Sequence, residues 1–155
     1  DELYLIVDEP TAAARLGEVS RDLAMIGIDR ISGYFDATDM TGGATVQQIT
    51  PTALAATLTT TTVIDVRSAN EWQAGHLPGA THIPLGYLAD RTAEIPRSKP
   101  IVVHCQSGAR SAIAASLLER VGLTNVRNLS GGFGGWAAAG LPVEEGADAR
   151  QTAGA

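Results

Sequence analysis

The sequence predicts an α/β domain with a mainly parallel sheet and helices on both faces, preceded by an incomplete strand-helix-strand (βαβ) repeat. Three observations carry that expectation. Short, continuous runs of Val, Ile and Leu recur along the 155 residues, as in strands buried on both faces. Helix-patterned segments fall between those runs, the alternation that builds parallel sheets. One run, Ile101-Val102-Val103, delivers the only cysteine of the chain, Cys105, into a glycine-containing turn that opens another helical pattern.

Four runs read as strands: residues 3–7, 63–66, 101–104 and 126–129. Thr50-Pro51 supplies an N-cap side chain followed by a proline at the first helical position, so a helix is expected over 51–58. Another is expected over 85–95. A third, over 111–121, sets Ile113, Leu117, Leu118 and Val121 on one side among alanines and stops at Gly122, a residue suited to the left-handed turn that ends helices.

The first 44 residues repeat an order of elements found later. Leu5-Ile6-Val7-Asp8-Glu9, a helical stretch to Ile26-Gly27, and Ile28-Asp29-Arg30-Ile31 parallel the run from Ile101 to Cys105, its following helix and Leu123-Thr124-Asn125-Val126. The thiol position of this half copy holds Asp8 or Glu9, and no glycine turn follows it. Two unrelated strand-helix-strand units would give the same pattern. Residues 39–45 are small, polar and glycine-containing, as in a linker. Residues 144–155 lack apolar anchors and read as a disordered tail. The expected organisation is therefore a partial repeat and linker at 1–44, a catalytic domain at 45–143, and the tail.

Composition excludes several function classes. The net charge is −6 with 18% charged residues, so no broad basic surface is available for nucleic acid. No apolar run approaches the ~20 residues that span a bilayer, and no cationic leader precedes one, so no membrane partner is expected and the chain reads as cytoplasmic. One cysteine forms no internal disulfide, and His76, His82 and His104 lack metal-ligand spacing. No metal or organic cofactor is expected. The first residue is not Met and the chain opens on a strand-like run, so it reads as part of a longer protein.

What remains is the cysteine turn. In an open parallel sheet, ligands sit beyond the carboxyl ends of the strands, where the pattern puts Cys105. Gln106, Ser107, Gly108 and Ala109 offer successive backbone N–H groups that can curl around the sulfur, and Arg110 and a helix N-terminus add positive potential. Such surroundings lower a thiol pKa from about 8.5 to roughly 3.5–7.5. An inert buried cysteine is the alternative.

At these residues the chain resembles the rhodanese family of sulfurtransferases, whose active loop reads Cys-x-x-Gly-x-Arg between a strand and a helix. Val63-Ile64-Asp65-Val66-Arg67, Glu71-Trp72, Gly75-His76-Leu77-Pro78-Gly79-Ala80 and Ile83-Pro84-Leu85 resemble its upstream signature, and Gly131-Gly132 to Trp136 its downstream one. The resemblance covers residues 46–143. It implies a rhodanese-like fold in which Cys105 accepts a sulfane sulfur as a persulfide and the loop from Gln106 to Ser111 binds the donor. Asp65 and Arg67 are implied near the pocket, either as a structural ion pair or in contact with substrate. His76 is implied to be a hydrogen-bonding structural residue, His104 to pack on the strand face opposite Cys105, and Trp72 and Trp136 to be pocket walls or core.

Four residues separate Cys105 from Arg110, one fewer than in phosphatases with a similar loop, so a tetrahedral phosphate or arsenate would be cramped. Without a second thiol, the sulfur must leave to an external nucleophile. The expected partners are a small anionic donor, thiosulfate or a low-molecular-weight persulfide, and a thiol, cyanide or protein acceptor. Residues 3–36 resemble the degenerate repeat that precedes the active module in fusions with a metallo-β-lactamase-fold persulfide dioxygenase. Against sulfur transfer stand two alternatives: a non-catalytic interaction module of such a fusion, and a small phosphatase or arsenate reductase.

Overall fold

The structure, a computed structural model, describes residues 3–7, 12–40 and 45–146. It divides into two compact units, Asp1–Thr45 and Val46–Ala155. Among the described residues, no helix is long and apolar enough to cross a membrane. The expected disordered tail beyond residue 146, the linker at 41–44, and the Asp8 and Glu9 positions lie outside the described residues.

In the first unit, β1 (Leu3–Val7) and β2 (Ile31–Asp36) pair in parallel, joined by α1 (Ala12–Met25). The expected βαβ order is present, and the second strand starts at Ile31, the position that parallels Val126. Helix α1 closes before it: Gly27 takes a φ of +83° and the Ile28 N–H turns back to the Leu23 carbonyl at 2.9 Å. Across the strands the Tyr4 and Phe35 rings lie 5.5 Å apart.

The second unit is a five-stranded parallel sheet in the order β3 (Gln47–Ile49), β7 (Val126–Leu129), β6 (Ile101–His104), β4 (Thr62–Asp65), β5 (Thr81–His82). Its helices are α2 (Pro51–Thr57), α3 (Ala69–Gln73), α4 (Leu85–Leu88), α5 (Ala109–Arg120) and α6 (Gly132–Ala138). Strand alternation sends Ile64, Ile101 and Val103 to one face, where they pack with Leu88, Ala114, Ala115 and Leu118. Val63, Val102 and Leu129 go to the other, against Leu54, Trp72, Leu77 and Trp136. Helices thus cover both faces, as continuous apolar strands require.

Local signals explain most boundaries. Thr50 Oγ1 accepts from the Ala53 N–H at 3.3 Å, and Pro51 starts α2. Two expectations need correction. The single helix over 85–95 is instead the short α4 and a separate 3-10 turn at Thr92–Glu94, broken where Arg91 leaves helical geometry. In α5 the buried face is Ser111, Ala114, Ala115 and Leu118, while Ile113 and Val121 are exposed. The small alanines bring the helix close to the sheet, so the face nearest the strands is not the one with the bulkiest residues.

Polar burial is uneven. Asp65, Arg67, His104, Ser111 and Asn128 are all buried, and all lie at or just beyond the carboxyl ends of the central strands or at the start of α5. Buried polar groups are costly unless bonded, so this edge of the sheet is where the fold accommodates chemistry.

Candidate active site

Strand β6 ends at His104, between β4 and β7, and sets Cys105 at the carboxyl edge of the sheet with 1% of its surface exposed. The next residues turn sharply. Gly108 takes a φ of +115° as the N-cap of α5, a conformation that side-chain-bearing residues rarely adopt, and its N–H donates to Cys105 Sγ at 3.1 Å. Burial by itself would raise the thiol pKa. The Ser111 hydroxyl and the N–H groups of Ser111, Gly108 and Ser107 outweigh it and lower the pKa to about 7. Roughly half of the thiol is then ionised at neutral pH.

The hydroxyl of Ser111 has three acceptors within reach: Cys105 Sγ at 3.4 Å, the Gly108 carbonyl at 3.1 Å and Asn128 Oδ1 at 2.7 Å. Asn128, on β7, also donates from Nδ2 to the Gly108 carbonyl at 3.1 Å. Because a hydroxyl carries one hydrogen, these acceptors compete for it. Asn128 was not among the residues expected from sequence; the strand Val126–Leu129 carries two polar residues, Arg127 and Asn128, and nothing in the sequence singles out the second.

The loop is held from behind by the start of α6. The Phe133 N–H donates to the Cys105 carbonyl at 2.8 Å and the Gly134 N–H to the Gln106 carbonyl at 3.0 Å. With those carbonyls engaged, the N–H groups of residues 107, 108 and 111 are left to the sulfur. Gly132 has a φ of +57°, and a Cβ there would fall onto the Cys105 carbonyl, so the close approach of the two backbones requires glycine. The sequence showed 131–136 only as a motif, without this role.

Both nearby arginines are paired. Arg67 is buried against Asp65, with Nη2 to Oδ2 at 2.7 Å, donates to the Gly75 carbonyl at 2.6 Å and lies 4.1 Å over the Phe133 ring. Its remaining nitrogen reaches Gln106 Oε1 at 3.4 Å, which ties β4 to the loop. Asp65 and Arg67 form a buried ion pair, and Asp65 has no exposed surface. Arg110 grips Glu71 with two bonds of 2.8 and 2.7 Å, and its guanidinium also interacts with the Cys105 thiolate, so it lends the sulfur positive potential while paired. Glu71 is itself fixed: Ser68 N–H and Oγ donate to its carboxylate at 3.0 and 2.8 Å, a capping box that starts α3. Arg110 foremost, and Ser68, hold its carboxyl down to about 2 against the opposing effect of burial.

The remaining candidates lie in the packed interior. His76 stacks on Trp72 at 3.6 Å and its Nδ1 lies 3.1 Å from the Trp72 carbonyl. His104 is fully buried, and burial, against the pull of Asp65, holds its pKa below the ordinary value. Trp136 donates to the Pro142 carbonyl at 2.8 Å within the core. Among the described residues no cluster of His, Cys, Asp or Glu is arranged to hold a metal ion.

A parallel sheet whose central strand delivers a cysteine into a loop of backbone N–H groups at its carboxyl edge defines a cysteine-loop domain. Its family is the rhodanese-like domain family, to which this chain belongs: the model of that domain matches residues 50–139. A sulfurtransferase of Allochromatium vinosum is 38% identical over 81 residues, 52% of this chain and 76% of its own length. The uncharacterized protein YqhL of Bacillus subtilis is 46% identical over 74 residues, 48% of this chain and 59% of its own length. Among solved structures, a rhodanese-related protein of Thermoplasma volcanium superposes with a TM-score of 0.61 at 32% identity, covering 63% of this chain and 97% of its own. The first unit lies outside the family match.

Proposed function

We propose that the chain is a sulfurtransferase that carries a sulfane sulfur on Cys105. The observation that supports it most is the convergence of the Gly108 N–H and the Ser111 hydroxyl on the Cys105 sulfur. Groups that stabilise a thiolate also stabilise the anionic persulfide that replaces it. The thiolate attacks the sulfane sulfur of the donor; a sulfur–sulfur bond forms at Cys105 while the donor bond breaks and its electron pair leaves with sulfite or a thiolate. A thiol, cyanide or protein acceptor then removes the outer sulfur and returns the thiolate. With cyanide the products are thiocyanate and free Cys105.

The loop from Gln106 to Ser111 serves as the donor cradle in this reading, with Arg67 and Asp65 holding its base rather than touching the donor. The short spacing to Arg110 disfavours phosphate and arsenate chemistry. Thiocyanate formation from a sulfane donor and cyanide tests the proposal: it is expected of the wild type and lost in Cys105→Ser. Hydrolysis of an aryl phosphate in place of transfer would contradict it.

For the first unit a second reading has its own support. β1–α1–β2 shares with β6–α5–β7 two parallel, adjacent strands joined by one helix. We propose on this likeness, which two unrelated units would also share, a degenerate half repeat without a thiol, acting as an interaction module, as in fusions with a metallo-β-lactamase-fold dioxygenase. Partner capture that survives Cys105→Ser but not removal of residues 1–44 is the expected behaviour.

A further inference from the structure

We infer that Glu71 sets the donor preference of the Cys105 site, holding Arg110 in an ion pair so that thiol persulfides are favoured over the thiosulfate dianion. This inference rests on the sulfurtransferase reading above. Two guanidinium groups approach the loop, and each already has a carboxylate: Arg67 is bonded to Asp65 in the interior, and Arg110 to Glu71 at the rim. Arg97 and Lys99 line a cavity of about 150 Å³ with Ile101 and Asn125, at the opposite end of β6. Arg120 ends α5, away from its loop. An incoming charge meets the loop N–H groups, the Ser111 hydroxyl, and an Arg110 whose charge is already shared with Glu71.

The two donors differ in what they ask of that site. Thiosulfate brings two negative charges to a thiolate and releases sulfite with two; each guanidinium beside the loop already has a carboxylate, so neither meets them with an uncompensated charge. A protonated persulfide brings none, transfers its outer sulfur to Cys105, and leaves as a thiolate with the single charge that the Cys105 thiolate gave up. An exposed ion pair is weak by itself, worth about 0–1 kcal/mol. This one is two-pronged, and the Ser68 capping box holds Glu71 in place, so a dianion gains Arg110 only by displacing an anchored carboxylate. Arg110 is 39% exposed at its side chain and so stands within reach of a donor once released.

Glu71→Gln separates charge from structure, because glutamine also serves the capping box. The assay compares thiosulfate with the persulfide of N-acetylcysteine methyl ester, which is uncharged outside its reacting sulfurs. Glu71→Gln is expected to raise kcat/KM for thiosulfate about tenfold relative to the persulfide, through KM, the size of one gained charge-assisted contact. Adding Arg110→Gln is expected to erase that gain. Calorimetric binding of thiosulfate to the Cys105→Ala protein should tighten likewise with Glu71→Gln. An unchanged donor ratio, or a gain that persists without Arg110, overturns the inference while leaving sulfur transfer intact. A wild type that accepts sulfur from neither donor overturns the sulfurtransferase reading and this inference with it.

Discussion

The Ser111 hydroxyl lies 2.7 Å from Asn128 Oδ1 and 3.4 Å from the sulfur of Cys105. One hydrogen serves both, so the thiol form leaves it with Asn128 and the thiolate draws it to sulfur. Asn128 therefore acts on the nucleophile through Ser111 and Gly108 without touching it.

Ser111→Ala should raise the Cys105 pKa from about 7 toward the ordinary thiol range, because the lost bond favours the charged form. Asn128→Asp should raise it further by adding a negative charge. The pH dependence of alkylation by iodoacetamide reads both shifts. An alkylation midpoint unmoved by either substitution contradicts this account of the loop.

The same group links stability to pH. Its folded pKa lies below that of the unfolded thiol, so ionisation favours the folded state. The increment is complete above the unfolded value of about 8.5 and is lost as pH falls through about 7. The difference in Tm between wild type and Cys105→Ser should accordingly grow from pH 6 to pH 9. A pH-independent difference is the contrary result.

Gly132→Ala should destabilise the fold more than Gly108→Ala. Both positions are left-handed, which costs about 1–3 kcal/mol for a side-chain-bearing residue. At Gly132 the added Cβ also meets the Cys105 and Gln106 backbone, whereas at Gly108 it meets only Asn128 Nδ2 at 3.7 Å. Urea unfolding ranks the two.

Asp65→Ala leaves the Arg67 guanidinium buried without its carboxylate and should cost about 3–5 kcal/mol. Arg91→Ala, at an exposed pair with Glu94, should cost no more than about 1 kcal/mol. Comparable unfolding midpoints for the two variants would count against a structural role for the buried pair.

Much of this was legible in sequence because it is local. The Thr50-Pro51 start, the Gly122 stop and the buried strand before Cys105 each depend on residues within a turn of one another, and the structure has them where expected. Features fixed by tertiary contact were not. Gln47–Ile49 is three residues long with two polar side chains, and becomes a strand only by pairing with Val126–Leu129. Ile113 looks like a core residue until Ala114 and Ala115 take the sheet-facing side. Arg110 reads as a free cation, since its partner Glu71 lies 39 positions away. The clamp of Phe133 and Gly134 on the loop carbonyls leaves no mark beyond a run of glycines.

The central claim, that Cys105 carries the transferred sulfur, is met most directly by the intact mass of the protein after exposure to a thiol persulfide or thiosulfate. The expected result is one added sulfur atom on the wild type, removed by cyanide and absent from Cys105→Ser. A wild type whose mass is unchanged by either donor, or an adduct that persists in Cys105→Ser, would contradict it.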